Sequence, residues 1–505
     1  MAPPFEHWRH PRAAIESLAA LALILLCGCS HGLTGLYGEA PVSPSPAVPW
    51  TPPARLASSA APASPPAAIP PELLTSPAPW TLGDIVDIAL RNSSLTREAW
   101  HAARAAAAAY ASERGGYFPE IDLNADYNRQ KPATSAGGTQ AEQRWESGSL
   151  DLNWLLLDFG GRRASIEESR QALVAANWSQ NGAIQGVILD VEQAYFQHSA
   201  ARALLAAEEA SVQEAQASLD AAQARHTAGI ATIADVLQAR TALSQAQLAL
   251  DEIRGQIETT RGALATAMGL MADTDFEVEI AEGPPPLESI AEEVEIYLRR
   301  AQALRPDLAA ARAEAEQAKA HVRNVRADAL PSIHATGSLG RVYLHSPADE
   351  QNTYSASLLL QWPLFAGFSH YFDVRRAQAD AERARARLAG MEQAVGLQVW
   401  TSYYALKTAE QRLRTSADLL QSATENHDVA AGRYQAGVGT ILDLLTAQAA
   451  LENARAVLVM ARADWYLAVA QLAHDTGTLA PPAASEAPAN PAPSAVPLPG
   501  KDEKP

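Results

Sequence analysis

Cysteine is nearly absent from this chain of 505 residues: there are two, Cys27 and Cys29, both near the N-terminus. A disulfide framework is therefore excluded, and so is a thiolate metal cage. Positive charge is also in short supply, with 39 Lys and Arg against 57 Asp and Glu and a formal net charge of -18. Neutralising phosphates requires clustered basic residues, so nucleic acid is excluded as a partner. Catalytic signatures are missing too: there is no HExxH, no phosphate-cradling glycine loop and no GxSxG elbow, and the histidines are scattered without metal-ligand spacing. No catalytic residue, cofactor or metal is expected. What the chain does have is a hydrophobic content of 48%, enough for a large core or several, which rules out disorder throughout.

The two cysteines belong to a leader. Arg9 and Arg12 precede the apolar run Leu18 to Leu26, which is too short to span a bilayer but suits an export signal. The run ends in Leu26-Cys27-Gly28-Cys29, similar to the bacterial lipobox, with Cys29 placed as the acyl acceptor; an ordinary signal with an incidental cysteine is the competing reading. In that lipoprotein class a residue other than Asp after the acylated cysteine, here Ser30, implies delivery to the outer membrane. Residues 1–28 then form the signal peptide. Residues 29–80 form the anchor and an extended tether, rich in Pro, Ala and Ser from about Gly38 to Pro79. Residues 480–505 have the same composition and read as a disordered tail.

The body between these segments contains itself twice. WLLLDFGGRRAS at Trp154 matches WPLFAGFSHYFD at Trp362, and RHTAGIATIADVLQA at Arg225 matches RYQAGVGTILDLLTA at Arg433, each pair 208 residues apart. Tyr195 and Tyr403 keep that spacing, as do LGDIVDIALR at Leu82 and IAEEVEIYLR at Ile290. Two repeats follow, residues 81–283 and 284–479, joined at the proline run Pro284 to Pro286.

Each repeat carries two alternating segments. Ile121, Leu123, Ala125 and Tyr127 oppose Asp122, Asn124, Asp126 and Asn128, and Leu150, Leu152, Trp154 and Leu156 oppose Ser149, Asp151 and Asn153. In the second repeat Ile333, Ala335, Gly337 and Leu339 oppose His334, Thr336 and Ser338. Tyr354 through Leu364 alternates likewise. Four strands of about ten residues suit tilted crossings of a hydrocarbon layer. Trp154, Trp362, Tyr117, Phe118 and Phe368 gather where strands meet helices, as an interfacial girdle would. A soluble sheet packed on a helix would alternate in the same way. Arg341 breaks the phase of its strand, and Pro363 cannot donate to a ladder.

After each strand pair the sequence runs without proline from Gly160 to Ala228 and from Phe368 to Ala436. At 1.5 Å per residue each run reaches roughly 100 Å, far more than a globular core needs. Leu205, Val212 and Leu219 recur every seventh residue, as do Val236, Leu243 and Leu250, and Leu444, Leu451 and Leu458 keep the register. Gly229, Gly437 and Gly439 mark the turns where the long helices double back.

Helix, strand pair, long helix, glycine turn and returning helix, repeated twice behind an export signal, resemble the TolC family of outer-membrane channels, particularly its lipid-anchored members. RHTAGIATIADVL, RYQAGVGTILDLL and the terminal Gly477-Thr478-Leu479 carry the resemblance, which covers about Pro79 to Leu479; His226 departs from the aromatic that often stands at its position. The resemblance implies an α+β membrane channel. Four strands per chain complete a trimeric, 12-stranded β-barrel in the outer membrane, continued by an α-helical coiled-coil barrel in the periplasm. Independently, four strands cannot close a membrane barrel, two copies make a filled one, and three are the smallest number leaving a lumen. The implied function is the outer-membrane channel of a tripartite efflux or type I secretion system, working with a periplasmic adaptor (membrane fusion protein) and an inner-membrane pump or transporter. Arg225, Gly229, Arg433, Gly437, Val438 and Gly439 are the expected adaptor-docking tips. Asp220 lies nine positions before Gly229 and Asp428 nine before Gly437, with Glu425 on the face of Asp428. These three are the expected aperture carboxylates, the bland alternative being a solvated helix face. Among rival readings, an enzyme finds support only in Asp475-Thr476-Gly477, which resembles an aspartic-protease loop but sits at a helix end. A periplasmic adaptor or a structural coiled-coil lipoprotein would share the hairpin, but an adaptor needs only one.

Overall fold

The computed structural model describes residue 69 and residues 79–131, 142–280, 293–345 and 348–479, all within one compact unit that begins at Ala68. Cys29, the leader, the tether, the joint at Pro284 to Pro286 and the tail lie outside the described residues.

Each repeat opens on a broken helix rather than a single one. Helices α1 (Leu82–Asn92) and α2 (Ser94–Gly115) are separated at Ser93, whose hydroxyl caps α2. Helices α5 (Val294–Leu304) and α6 (Pro306–Ala327) break at Arg305, followed by proline at the first helical position, where its missing N–H costs nothing. Leu82 therefore corresponds to Val294, an offset of 212 rather than the 208 read from the sequence. The four-residue difference lies in the hairpins. Twelve residues join β1 (Glu120–Gln130) to β2 (Gln143–Leu157), whereas two join β3 (Ser332–His345) to β4 (Ala348–Gln361).

The strands form one antiparallel sheet in the order β1-β2-β3-β4, leaving β1 and β4 as free edges. Its register sorts the side chains. One face stacks Ile333 with Leu360, Ala335 with Trp154 and Leu358, and Leu123, Leu150, Leu339 and Tyr354 in a single row. The next rows of that face are Ala125, Gly148, Arg341 and Asn352, then Tyr127, Glu146, Tyr343 and Glu350. Arg341 thus ends the apolar band instead of breaking it, and pairs with Glu350 at 2.9 Å. Ile333 to Arg341 spans about 26 Å along the strand, or about 20 Å once tilted, comparable to the height of an outer-membrane apolar band. Pro363 falls beyond the end of β4, so it costs the ladder nothing.

From Gly161 and Ser369 spring two helices of 67 residues each, α3 (Gly161–Thr227) and α7 (Ser369–Gln435). They return as α4 (Ile233–Ala267) and α8 (Ile441–Asp475), 35 residues each. Val236, Leu243 and Leu250 are buried, as are Leu444, Leu451 and Leu458. At the start of the first heptad series Leu204 is buried and Leu205 only half-buried, because a straight 3.6-residue helix drifts from a 3.5 repeat. Among the described helices α8 alone has the length and hydropathy of a membrane span, yet its Leu444, Leu451 and Leu458 lie in the coiled coil. The main core lies part-way along the helices, where Ile85 and Ile88 of α1 meet Val187, Ile188 and Val191 of α3 and Leu264 of α4. Gly269 and Gly477, each with positive φ, close these junctions; a Cβ there would come within 2.8 Å of Asn92 or Leu304.

Candidate transport pathway

The polar face of the sheet is lined by Asp122, Asn124, Asp126, Asp151, Ser149, Thr336 and Ser357. Asp122 stands directly opposite Asp151. Like charges facing each other across strands are destabilising unless solvated or hydrogen-bonded. Asp151 has that support: Asn124 donates to it at 2.6 Å and Ser149 at 2.7 Å, while Ser147 donates to Asp126. Such a face demands water and is incompatible with lipid.

Where strand becomes helix, the chain turns through Phe159 and Gly160, both with positive φ. Arg162 ties the corner together. Its guanidinium donates to the carbonyls of Gly116 at 3.1 Å and Leu156 at 2.9 Å and lies 4.9 Å over the ring of Tyr117. The indole N–H of Trp154 donates to the carbonyl of Tyr117 at 3.0 Å. Trp154, Trp362, Tyr117, Phe118 and Phe368 are all exposed, as girdle residues must be.

At the far end both tips use the same turn. Gly229 (φ 79°) and Gly437 (φ 77°) take the left-handed conformation, and the next residues, Ile230 and Val438, donate back to Arg225 and Arg433 at 3.0 Å. This is the Schellman arrangement, and capping boxes follow it at Thr232 with Asp235 and at Thr440 with Asp443. Gly439 has a separate reason to be glycine, since a Cβ there would lie 3.0 Å from the Tyr434 nitrogen. Val438 is 71% exposed and Ile230 66%, so the tips present apolar crowns. His226 contacts the Ala231 carbonyl through Nδ1 at 3.0 Å.

Within one protomer each of the three expected aperture carboxylates is exposed. Asp220 and Glu425 are exposed and accept bonds from Gln216 (2.8 Å) and Gln421 (3.0 Å) on their own helices; Asp428 lies 3.5 Å from His427. What the structure brings together is a polar seam that α3 makes with the end of α7 and with α8. Arg225 donates to the Tyr434 carbonyl, Gln448 to Ser218 at 2.6 Å, and Arg455 pairs with Glu214 at 3.0 Å. Further along lies Glu208, 7% exposed and with its Oε2 unpartnered among the described residues; burial, and then the charge of Glu452, hold its carboxyl above the ordinary glutamate range. Sequence reasoning missed this seam. Its one sequence signal was the lack of matching residues in the other repeat, where Ser416 stands for Glu208 and Ser244 for Glu452.

The description Outer membrane efflux protein belongs to the family model that matches residues 85–270 and 297–478, one match per repeat. Over 378 residues the chain is 30% identical to Protein CyaE of Bordetella pertussis, covering 74% of this chain and 78% of that protein. It is 26% identical to the toluene efflux pump outer membrane protein TtgC of Pseudomonas putida, over 73% of this chain and 76% of that one. The fold is shared with VceC of Vibrio cholerae, with a TM-score of 0.68 at 21% identity over 78% of this chain and 96% of that chain.

Proposed function

The chain belongs to the outer membrane efflux protein family, a family of channels and not of enzymes, and on that premise we propose that three copies form the outer-membrane conduit of a tripartite export assembly. One observation carries the assembly: each repeat is dressed for the same neighbours, yet only one set is present. Ile441 is 4% exposed and its counterpart Ile233 57%; Leu189 is 8% exposed and Leu397 67%. Apolar residues covered in one repeat and bare at the same position in the other call for a second copy of the chain. The free edges at β1 and β4 make the same demand, because a membrane sheet cannot leave backbone groups unpaired in hydrocarbon.

The docking partner is a periplasmic adaptor whose helical tips meet the crowns at Gly229, Ile230, Gly437, Val438 and Gly439, with Arg225 and Arg433 holding the turns beneath. An inner-membrane pump or transporter delivers the substrate. Efflux of small compounds is the reading favoured by similarity to TtgC, whose own name is that of a toluene efflux pump protein. Cys29 carries lipid and adds a weaker membrane anchor to that of the barrel. Intact-mass measurement of the mature chain checks the lipid, and an unmodified thiol at Cys29 overturns it. The conduit is tested by reconstituting the full chain in planar bilayers. Discrete ionic conductance from a complex of three chains is the expected result; conductance-free monomers would refute it.

A further inference from the structure

Beneath the apolar face of the sheet, α3 and α6 lie side by side with a cleft on each side of their contact. One cleft reaches Leu155, His334 and Gln361, which belong to the polar face, and takes Arg162 and Ser165 from α3. The other takes Arg163, Ala164 and Glu167 from the opposite side of α3, with Arg323 and Arg326 of α6. This second cleft, of about 580 Å³, therefore opens on the side of the apolar band. Its rim is Phe159 and Leu330, exposed by 54% and 44% and continuous with Leu157, Ile333 and Leu360 of the sheet.

The three guanidiniums of this cleft are exposed and make no ion pair among the described residues, although most arginines of the long helices do. The one carboxylate lining the cleft, Glu167, feels the charge of Arg323 but is hydrogen-bonded by Arg170 at 2.6 Å and by Gln171 at 2.7 Å. Arg163 lies two residues into α3, and Arg326 sits one residue before the end of α6. Both are within a turn of the membrane-facing sheet. Three exposed cations, none held in an ion pair of its own among the described residues, directly below an apolar wall match the layer where lipid phosphates lie, and arginine forks fit phosphate oxygens.

We propose that Arg163, Arg323 and Arg326 form a binding site for the phosphodiester headgroup of an anionic phospholipid in the periplasmic leaflet, with its acyl chains running over Phe159 and Leu330 onto the sheet. The site rests on the outer-membrane placement of the sheet but not on the trimer, because α3 and α6 belong to one protomer. A soluble phosphate is a poorer occupant, since it leaves the apolar rim uncovered.

The test uses the full chain in mild detergent, with lipid retention read by native mass spectrometry after adding dioleoylphosphatidylglycerol or zwitterionic dioleoylphosphatidylethanolamine. The wild type retains the anionic lipid in preference. The variant R163Q/R323Q/R326Q loses that preference by about tenfold or more, since each basic residue near a lipid surface is worth roughly a fivefold gain. The charge-preserving variant R163K/R323K/R326K keeps most of it, which separates loss of charge from loss of fold. Equal retention by the glutamine variant overturns the site. So does displacement of the lipid by equimolar glycerol 3-phosphate, which would make this a site for soluble phosphate esters. Pore formation is measured alongside: a wild type that retains lipid but conducts no current sinks the channel reading and leaves the lipid site standing.

Discussion

Arg225, in the last turn of α3, lies 4.7 Å over the ring of Tyr434 near the end of α7 and donates to the Tyr434 carbonyl at 2.5 Å. The two tips of one protomer are thereby clasped to each other. A partly desolvated cation over an aromatic ring, together with a charge-assisted bond, is worth roughly 1–3 kcal/mol. Arg225→Ala should release the first tip from the second while leaving the turns intact, because Gly229 and Gly437 set those turns independently. Single-channel conductance in planar bilayers should rise. An unchanged conductance would show that this clasp does not restrain the aperture.

The carboxyl pair Glu208 and Glu452 makes the seam between α3 and α8 sensitive to pH. The folded state raises the Glu208 pKa, chiefly by burial and next by the charge of Glu452. Its contribution is then fully present below the ordinary glutamate value and declines as pH rises through the raised folded value. The neighbouring cation, Arg455, is already committed to Glu214 and does not offset that decline. Glu208→Gln keeps the size and polarity of the side chain without the titration. Its thermal midpoint, followed by helical circular dichroism, should exceed that of the wild type at pH 8 and approach it at pH 4. A parallel loss in both proteins would rule the pair out as the source.

The clasp and the carboxyl pair were not legible in the sequence, for a definite reason. Each joins residues more than 200 positions apart across two helices, and neither recurs in the other repeat. Alternation is a local property, so Ile121 to Asn128 and Leu150 to Leu156 could be read as strands directly. Gly229 and Gly437 were equally local, since a helix that reverses needs a left-handed residue. The break at Ser93 was hidden because a serine within a helical pattern reads as an ordinary polar position. Spacing misled in one place, where the longer β1–β2 hairpin absorbs four residues that the match of Leu82 to Ile290 had ignored. The arginines of the cleft between α3 and α6 were visible as charges, but only the sheet register says which side of α3 they share with the apolar band.

Asp428, with Asp220 on the other helix, is proposed to ring the aperture in the assembled channel. Both are exposed, and within one protomer neither is neutralised by a lysine or arginine among the described residues. Three copies would converge six carboxylates and focus a negative potential. Asp428→Ala should lower cation selectivity and weaken block by trivalent cations in single-channel recordings. If Asp220→Ala combined with Asp428→Ala leaves both properties unchanged, the constriction lies elsewhere.

The seam between protomers can be specified to the residue. Within the chain β2 of the first repeat pairs with β3 of the second, Leu150 opposite Leu339 and Leu152 opposite Gly337. If the next protomer continues the pattern, β4 pairs with the neighbour's β1. Trp154 and Trp362 relate β2 to β4 by 208 residues, and Pro119 and Pro331 relate β1 to β3 by 212. The two offsets are consistent, for they carry the pair Glu120 with Asn153 onto Ser332 with Gln361, which is also observed. Applied to the missing contact, they place Leu358 opposite Tyr127 and Leu360 opposite Ala125 on the apolar face. On the polar face they place Ser357 opposite Asn128. Near the strand-to-helix end the pairs so generated sort by face, with Trp362 opposite Leu123 on the apolar side and Gln361 opposite Asn124 on the polar side, while Ala356 falls opposite Arg129. Opposed Cβ atoms in such a ladder are about 4.5–5.5 Å apart, close enough for a disulfide after small adjustment. Leu358→Cys with Tyr127→Cys should therefore give covalently linked trimers under mild oxidation in native membranes. Leu358→Cys with Asn128→Cys, one position out of register and on opposite faces, should not. Linked trimers from the second pair and none from the first would refute this register.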